Sequence, residues 1–294
     1  MTLGRVEILG SGGAITTPRP GCSCRVCAPA RLRGIPYSRS GPAVFFHGPD
    51  VLIDTPEEIK EQLNRAHIGH IAAVLYSHWH PDHTMGRRVF ETRNMDFRGW
   101  PRAANPTDVY LPPRVADDFR TKLGLDEHFD YMARHGTVNV HRWADGEPLQ
   151  IGGWEITHVQ LAADYVYAFL FRREGVRVLI AMDELVGWEP PAWLSGVDLL
   201  ILPVGVFEFH PLTGERQIPL GHPLLTTEAT YVQTLAMVEA LRPRQVVFMH
   251  IEEPDRVTVE ELREVERRLW LERGWDVRFA WDGMIIPVDG RSGT

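Results

Sequence analysis

Four residues within six positions carry donors for metal ions: His78, His80, Asp82 and His83, in the run Tyr76-Ser-His-Trp-His-Pro-Asp-His83. The apolar residues 71–76 lead into it and read as a strand. In extended chain His78 and His80, two apart, point the same way. Pro81 then suits the first position of a helix, where Asp82 and His83, as neighbours, point in different directions. Two imidazoles aimed together, with a carboxylate and a third imidazole beside them, form the start of a two-metal site. Such a site makes hydroxide from water at neutral pH and clamps the entering and leaving oxygens of a displacement.

A second cluster lies near the N-terminus. Cys22, Cys24 and Cys27 are the only cysteines of the chain and form Cys-x-Cys-x-x-Cys. An odd, clustered set is a poor disulfide framework. Three thiolates so close grip one tetrahedral zinc, with a fourth ligand from elsewhere, and imply a reducing compartment. The glycine-rich turn at 10–13 just before them lacks a phosphate-loop lysine, so a nucleotide cradle is not supported.

These groups need rigid elements to hold them. Short apolar runs rich in β-branched residues at 44–46, 51–53, 71–76, 109–111, 154–159, 166–171, 176–181, 199–204 and 246–249 read as strands. Helices are expected over 56–65, 114–122, 227–241 and 258–272, the last opened by Thr258 and Glu261 at capping-box spacing. Many strands with helices outside them suggest an α/β fold with two sheets face to face, a four-layer αβ/βα sandwich. The least regular stretch runs from 84 to 144. Within it, residues 93–106 are rich in Arg, Asn and Pro and read as a long loop over a site.

Composition narrows the partners. The chain has 294 residues, 44% of them hydrophobic, and a formal charge of −8. That balance argues against a broad surface for nucleic acid or an anionic membrane. The N-terminus lacks the basic start and apolar core of a signal peptide, and no run approaches the roughly 20 apolar residues of a membrane span. A cytoplasmic, soluble protein is expected. The partners foreseen are a small anionic substrate and, at most, a second copy of the chain in a homodimer. Arg87, Arg88, Arg93 and Asn94, just after the histidine cluster, could grip an anion or form a solvated face. Trp79, Trp100 and Trp188 could line a pocket or be structural.

His-x-His-x-Asp-His after an apolar strand resembles the signature of the metallo-β-lactamase superfamily, and the resemblance spans nearly the whole chain as a single domain, 1–294. Val51-Leu-Ile-Asp-Thr55 is similar to the superfamily's first motif, which puts Asp54 behind the metal ligands. Asp183 is similar to the carboxylate that bridges the metals, and His250 to the last ligand histidine. The pattern also has a histidine before the strand at 166–171, a place where Ala162 falls here. His158 and Asp164 are the nearby substitutes, His158 being either a ligand or a core histidine. With neither, the ion at His78 and His80 would have two imidazoles, the Asp183 bridge and solvent, which is a weak site.

The cysteine motif, at 21–28, resembles the branch of phosphoribosyl cyclic phosphodiesterases and relatives, including a quinone-cofactor biosynthesis protein. The resemblance implies a structural zinc whose fourth ligand stands three residues after the last ligand histidine, here Glu253. It also places His222, in Gly221-His222-Pro223, toward the active site as an acid or phosphate contact; a helix N-terminus is the alternative. The expected reaction is metal-dependent hydrolysis of a small, cyclic phosphodiester, with one or two catalytic ions, zinc or manganese, and Asp82 orienting the nucleophile. A lactone or thioester hydrolase and a non-catalytic metal-binding accessory protein are the rival readings.

Overall fold

The computed structural model of the protein describes residues 2–96, 98 and 106–290. Its strands are β1 (Thr2–Gly10), β2 (Ala43–His47), β3 (Val51–Ile53), β4 (Ala73–Leu75), β5 (Thr107–Leu111), β6 (Val138–Arg142), β7 (Leu149–Ile151), β8 (Trp154–Gln160), β9 (Tyr167–Arg173), β10 (Val176–Ile180), β11 (Leu199–Pro203), β12 (Gln245–Met249), β13 (Val277–Phe279) and β14 (Met284–Asp289). They form two seven-stranded sheets, in the orders β14-β1-β2-β3-β4-β5-β6 and β13-β12-β11-β10-β9-β8-β7.

Why the strands read as unbroken apolar runs is clear from their two faces. Phe169 and Phe171 of β9, Val178 and Ile180 of β10, and Val247 and Met249 of β12 point between the sheets, against Val6, Ile8, Val44 and Phe46. Their alternate neighbours Ala168, Leu170, Leu179, Val246 and Phe248 pack outward with Met237, Val238, Leu241, Leu262, Val265 and Leu269 of the helices Tyr231–Leu241 and Val259–Arg273. On the first sheet Phe45, Leu52 and Val74 pack outward with Ile59, Leu63, Val115 and Phe119. Strands covered on both faces have no polar side to show. Each fully buried Phe or Ile contributes about 1.5–3 kcal/mol, so three apolar layers hold four layers of structure.

Two groups of parallel strands, β3 to β6 and β10 to β13, aim their C-terminal ends at one edge of the sandwich. That edge is where an open α/β sheet places its ligands. Asp54 follows β3, His78 follows β4, Asp183 follows β10 and His250 follows β12.

The expected strands are all present, within a residue or two at most ends. The helix at 258–272 begins at its capping box: Thr258 Oγ1 accepts from Glu261 N and Glu261 Oε2 accepts from Thr258 N. The helix expected over 227–241 is broken, into a turn Leu224–Thr227 and a helix Tyr231–Leu241. Thr230 and Gln233 form their own capping box and restart it. The stretch 84–144 is more regular than its composition suggested, holding β5, β6 and the helices Val89–Asn94, Pro113–Thr121 and Leu125–Arg134. Most of the loop expected over 93–106, with Trp100, lies outside the described residues.

Candidate metal centre

His78 leaves β4 fully buried, His80 caps the short helix Pro81–Thr84 with Pro81 at its start, and Asp82 and His83 sit in that helix. The structure brings their donors together with Asp183 and His250 in two groups. His78, His80, Asp183 and Glu184 form one; Asp82, His83, Asp183 and His250 form the other. Within each group the donor atoms lie within 4.8 Å of one another, and Asp183 belongs to both. His78 Nε2 is 3.6 Å from Asp183 Oδ2, and His83 Nε2 is 3.3 Å from Asp82 Oδ2 and 3.6 Å from Asp183 Oδ2. His250 Nε2 is 3.4 Å from Asp183 Oδ1.

A polar atom buried without a hydrogen bond costs about 1–3 kcal/mol. Four atoms at this one place, His78 Nε2, His83 Nε2, His250 Nε2 and Asp82 Oδ2, are buried without a partner among the described residues. Their convergence fits cation ligands, and the donor chemistry suits divalent ions.

Asp54 sets the orientation of these rings. It is fully buried, and its carboxylate accepts from Ser77 N at 2.8 Å, Ser77 Oγ at 2.6 Å and His83 Nδ1 at 2.7 Å. The last bond puts the His83 proton on Nδ1 and leaves Nε2 to face the cluster, as a supporting carboxylate does for a metal-bound histidine. Ser77 Oγ also lies 3.0 Å from His78 Nδ1. Room for His250 comes from Gly13: a Cβ there would lie 2.3 Å from His250 Cε1. The glycine turn at 10–13 thus serves close packing. Asp54, Glu184 and His250 all hold left-handed backbone, at φ 60°, 48° and 57°. Such conformations cost of order 1–3 kcal/mol for non-glycine residues and persist where the surroundings enforce them.

The charges polarise one another. Burial pushes the His78 imidazole well below its ordinary value, with His83 adding repulsion. Burial opposes protonation of His83 and His250 too, but Asp82 and Asp54 carry His83 well above its usual range, and Asp183 carries His250 to about 10. Asp82 and Asp183, though buried, are held far below the usual carboxylate range by His83 and His250. Cationic charge is what this cluster lacks, and protons supply it when metal ions do not.

The pocket over the cluster encloses roughly 640 Å³ of space open to solvent and is lined by His80, Asp82, Asp183, Glu184 and His250, and by Glu228, Glu252 and Asp255. Glu252 Oε1 accepts from Ile15 N, and Asp255 accepts from Phe207 N and Glu252 N. Glu228 makes no side-chain hydrogen bond among the described residues, and burial beside Asp183 pushes it up to about 8. Among the described residues, no lysine or arginine lines this pocket.

Several expectations are corrected by this geometry. His158 is not in the cluster: on β8 it packs edge-on against Trp143 at 4.5 Å, with Nε2 3.2 Å from Ala144 O, as a core histidine. His222 is exposed outside the pocket, and its Nδ1 accepts from Leu224 N, capping the turn that follows. Glu228, brought inward by the break in the expected helix, lines the pocket instead. Of the two readings of Arg87, Arg88, Arg93 and Asn94, the anion grip is not the one found. Arg87 donates to Thr84 O, Arg93 to Gly69 O, and Asn94 to Thr107 Oγ1 and Thr137 O, while exposed Arg88 faces Glu91. Trp188 is a core residue, and Trp79 packs beside His80 outside the pocket. Ala162 is exposed, as is Asp164, and Glu184, unmarked by any sequence signal, stands with His78 and His80.

The cysteines also converge. Cys22, Cys24, Cys27 and Glu253 bring their donor atoms within 4.8 Å of one another. Glu253 Oε1 lies 3.1 Å from Cys22 Sγ and 3.0 Å from Cys24 Sγ, while Arg19 stands 3.6 Å from its other oxygen. Burial pushes the Cys27 thiol up to about 12, a cost that a bound cation would remove.

A two-sheet α/β sandwich with paired His/carboxylate groups at one edge defines a class of metal-centre proteins. The model of the beta-lactamase superfamily domain matches residues 50–251, and the chain belongs to that family. Among solved structures it is similar to a diphosphatase from the PhnP family, at 24% identity over 97% of this chain and 98% of that one, with a TM-score of 0.68. It is similar to Zn(2+)-bound PqqB from Methylobacterium extorquens, at 20% identity over 97% and 100%, TM-score 0.69. Human tRNase Z, short form, matches at 16% identity over 96% and 98%, TM-score 0.61. Among curated proteins none matches the sequence significantly.

Proposed function

We propose that the protein is a metal-dependent hydrolase that cleaves a small phosphodiester. The observation that carries this reading is the pair of donor groups sharing Asp183, with four buried atoms left unpartnered at their centre. His78, His80 and Asp183 would hold one ion, and Asp82, His83, His250 and Asp183 the other. Two such ions supply an activated hydroxide and neutralise charge on the phosphoryl oxygens. The chain's own residues do the rest. Asp54 and Ser77 fix the imidazole tautomers, Asp82 orients the nucleophile, and the pocket walls position the substrate.

The pocket wall refines the substrate. Glu228, Glu252 and Asp255, all raised by burial, offer the rest of the substrate hydrogen-bonding carboxyl groups rather than fixed negative charges. Carboxylates accept hydrogen bonds from hydroxyls, which suits a sugar-like remainder. The diphosphatase among the structural neighbours is consistent with phosphoryl chemistry, and the acidic pocket and net charge speak against nucleic acid. Structural zinc at Cys22, Cys24, Cys27 and Glu253 belongs to the same proposal.

The test is hydrolysis of bis-nitrophenyl phosphate against lactone and thioester panels, with protein purified without chelator. Phosphodiester turnover that His80→Ala and Asp82→Ala abolish, with the fold retained, is expected. Full activity in either variant, or turnover confined to lactones or thioesters, refutes the proposal, and metal binding without any turnover favours the accessory reading.

A further inference from the structure

Glu184 is the residue in this site that the sequence pattern does not announce. It follows Asp183 directly, in left-handed backbone at φ 48°. Adjacent residues of an extended strand point apart, whereas here the turn sends both carboxylates to one place. Glu184 Oε1 lies 3.2 Å from His80 Nδ1. Its other oxygen accepts a hydrogen bond from the Tyr165 hydroxyl. The Glu184 side chain is buried, its backbone N–H donates to Asp183 Oδ1 at 2.8 Å, and its donor atom lies within 4.8 Å of those of His78, His80 and Asp183.

Two further observations point to a ligand. His78 Nε2 is completely buried in this group and has no hydrogen-bond partner among the described residues. Ala162, which has no donor, is exposed beside Gly187 rather than buried in the cluster. Asp183 and Glu184 bring two buried carboxyl groups to this one place, with Asp82 in the adjoining group, and a cation among them would offset their mutual repulsion.

We infer that Glu184 is a metal ligand that completes the His78/His80 position in place of a histidine, and that Tyr165 is the positioning residue that holds its carboxylate. The inference rests on the two-ion reading of the site. Each position then has two imidazoles and two carboxylates, counting Asp183 in both. Exchanging an imidazole for a carboxylate moves the position toward harder ions, so manganese gains on zinc relative to a three-histidine site.

Manganese is the first probe, because the cysteine cluster favours softer ions. Wild-type protein should take up two manganese ions in equilibrium dialysis. Glu184→Gln keeps the shape and can still accept from Tyr165, yet one of the two affinities should fall by about tenfold or more. Tyr165→Phe should weaken the same ion and leave the other untouched. Glu184→His should retain both ions and shift the ratio of zinc to manganese affinity at that position toward zinc. Two unchanged manganese affinities in folded Glu184→Gln overturn the inference. Should that variant fail to fold, an unchanged zinc-to-manganese ratio in Glu184→His overturns it. Wild-type protein that takes up no manganese or zinc at the cluster would sink the metal reading itself, a distinguishable failure.

Discussion

Asp54 contacts no predicted ion, yet replacing it should weaken the metal centre through a single proton. Asp54→Asn is close in shape, and asparagine tolerates left-handed backbone such as the φ of 60° found here. The hydrogen bonds decide which way the amide turns. Asp54 Oδ1 accepts from the Ser77 backbone N–H, which can only donate. Placing the amide nitrogen there would oppose two donors, so the amide oxygen takes the Oδ1 position. The NH₂ group must then occupy the Oδ2 position, facing Ser77 Oγ and His83 Nδ1. Ser77 can accept. His83 can accept only by moving its proton from Nδ1 to Nε2, the nitrogen that faces Asp82 and Asp183.

An imidazole protonated on Nε2 cannot donate that nitrogen to a cation, so binding must first restore the other tautomer against two opposed N–H groups. Loss of a residue that supports a metal-bound histidine typically weakens metal affinity 10–100-fold, or about 1.4–2.8 kcal/mol. The assay is competitive metal binding at fixed pH, with circular dichroism and thermal melts as a check that Asp54→Asn folds. The weakened ion should be the one held by Asp82, His83 and His250, with the His78/His80 ion less affected. Wild-type affinity at both positions in a folded Asp54→Asn protein would refute the tautomer argument.

Two further outcomes follow from the same charges and donors. Cys24→Ser should lower the unfolding free energy by several kcal/mol, because metal binding at such a site is folding energy; a melt that matches wild type, with no metal at the thiols, rules out the structural zinc. Stripped of divalent ions, the protein should lose up to a few kcal/mol of stability between pH 7 and 10. His250 holds its proton to about 10 when folded and only to about 6.5 unfolded, so its contribution is complete below the unfolded value and is lost as pH rises through the folded one. Glu228, raised to about 8, acts in the same direction. Urea midpoints that stay level or rise across this window contradict the assignment.

Much of the site was legible because its chemistry is local. His78, His80, Asp82 and His83 are close in sequence, and Asp54, Asp183 and His250 each end an apolar strand. What escaped depends on contacts that spacing does not encode. Glu184 joins the cluster through a left-handed turn that glycine or asparagine would have advertised and glutamate does not. His158 has the right residue type on the right sheet, but Trp143 and Ala144, brought in from before β7, claim its ring. Glu228 did have a signal: Thr230-x-x-Gln233 is a capping box, and reading it would have ended the earlier helical turn at Thr227. The edge strand β6 exposes four of its five residues, which erases the period-two pattern. In β14 the pattern is intact, with Met284, Ile286 and Val288 buried in alternation, and was simply available.

The two clusters are not independent in the fold, since a single short segment serves both. His250 lines the pocket over the His/carboxylate cluster; Glu253, three residues on, reaches Cys22 and Cys24. Between them Glu252 accepts from Ile15 N, Ile251 N donates to Ser11 O, and Glu253 N donates to Ile15 O. The segment is therefore stitched to residues 11–15, which lead directly into the cysteine loop. His250 itself sits in unfavourable left-handed backbone against Gly13. Strain of that kind survives only while its anchors hold. A cation gripping three thiolates and Glu253 would pin the far end of the segment and keep His250 aimed at Asp183. A metal-filled cysteine cluster would then act on the pocket as well as on stability, through the placement of one imidazole.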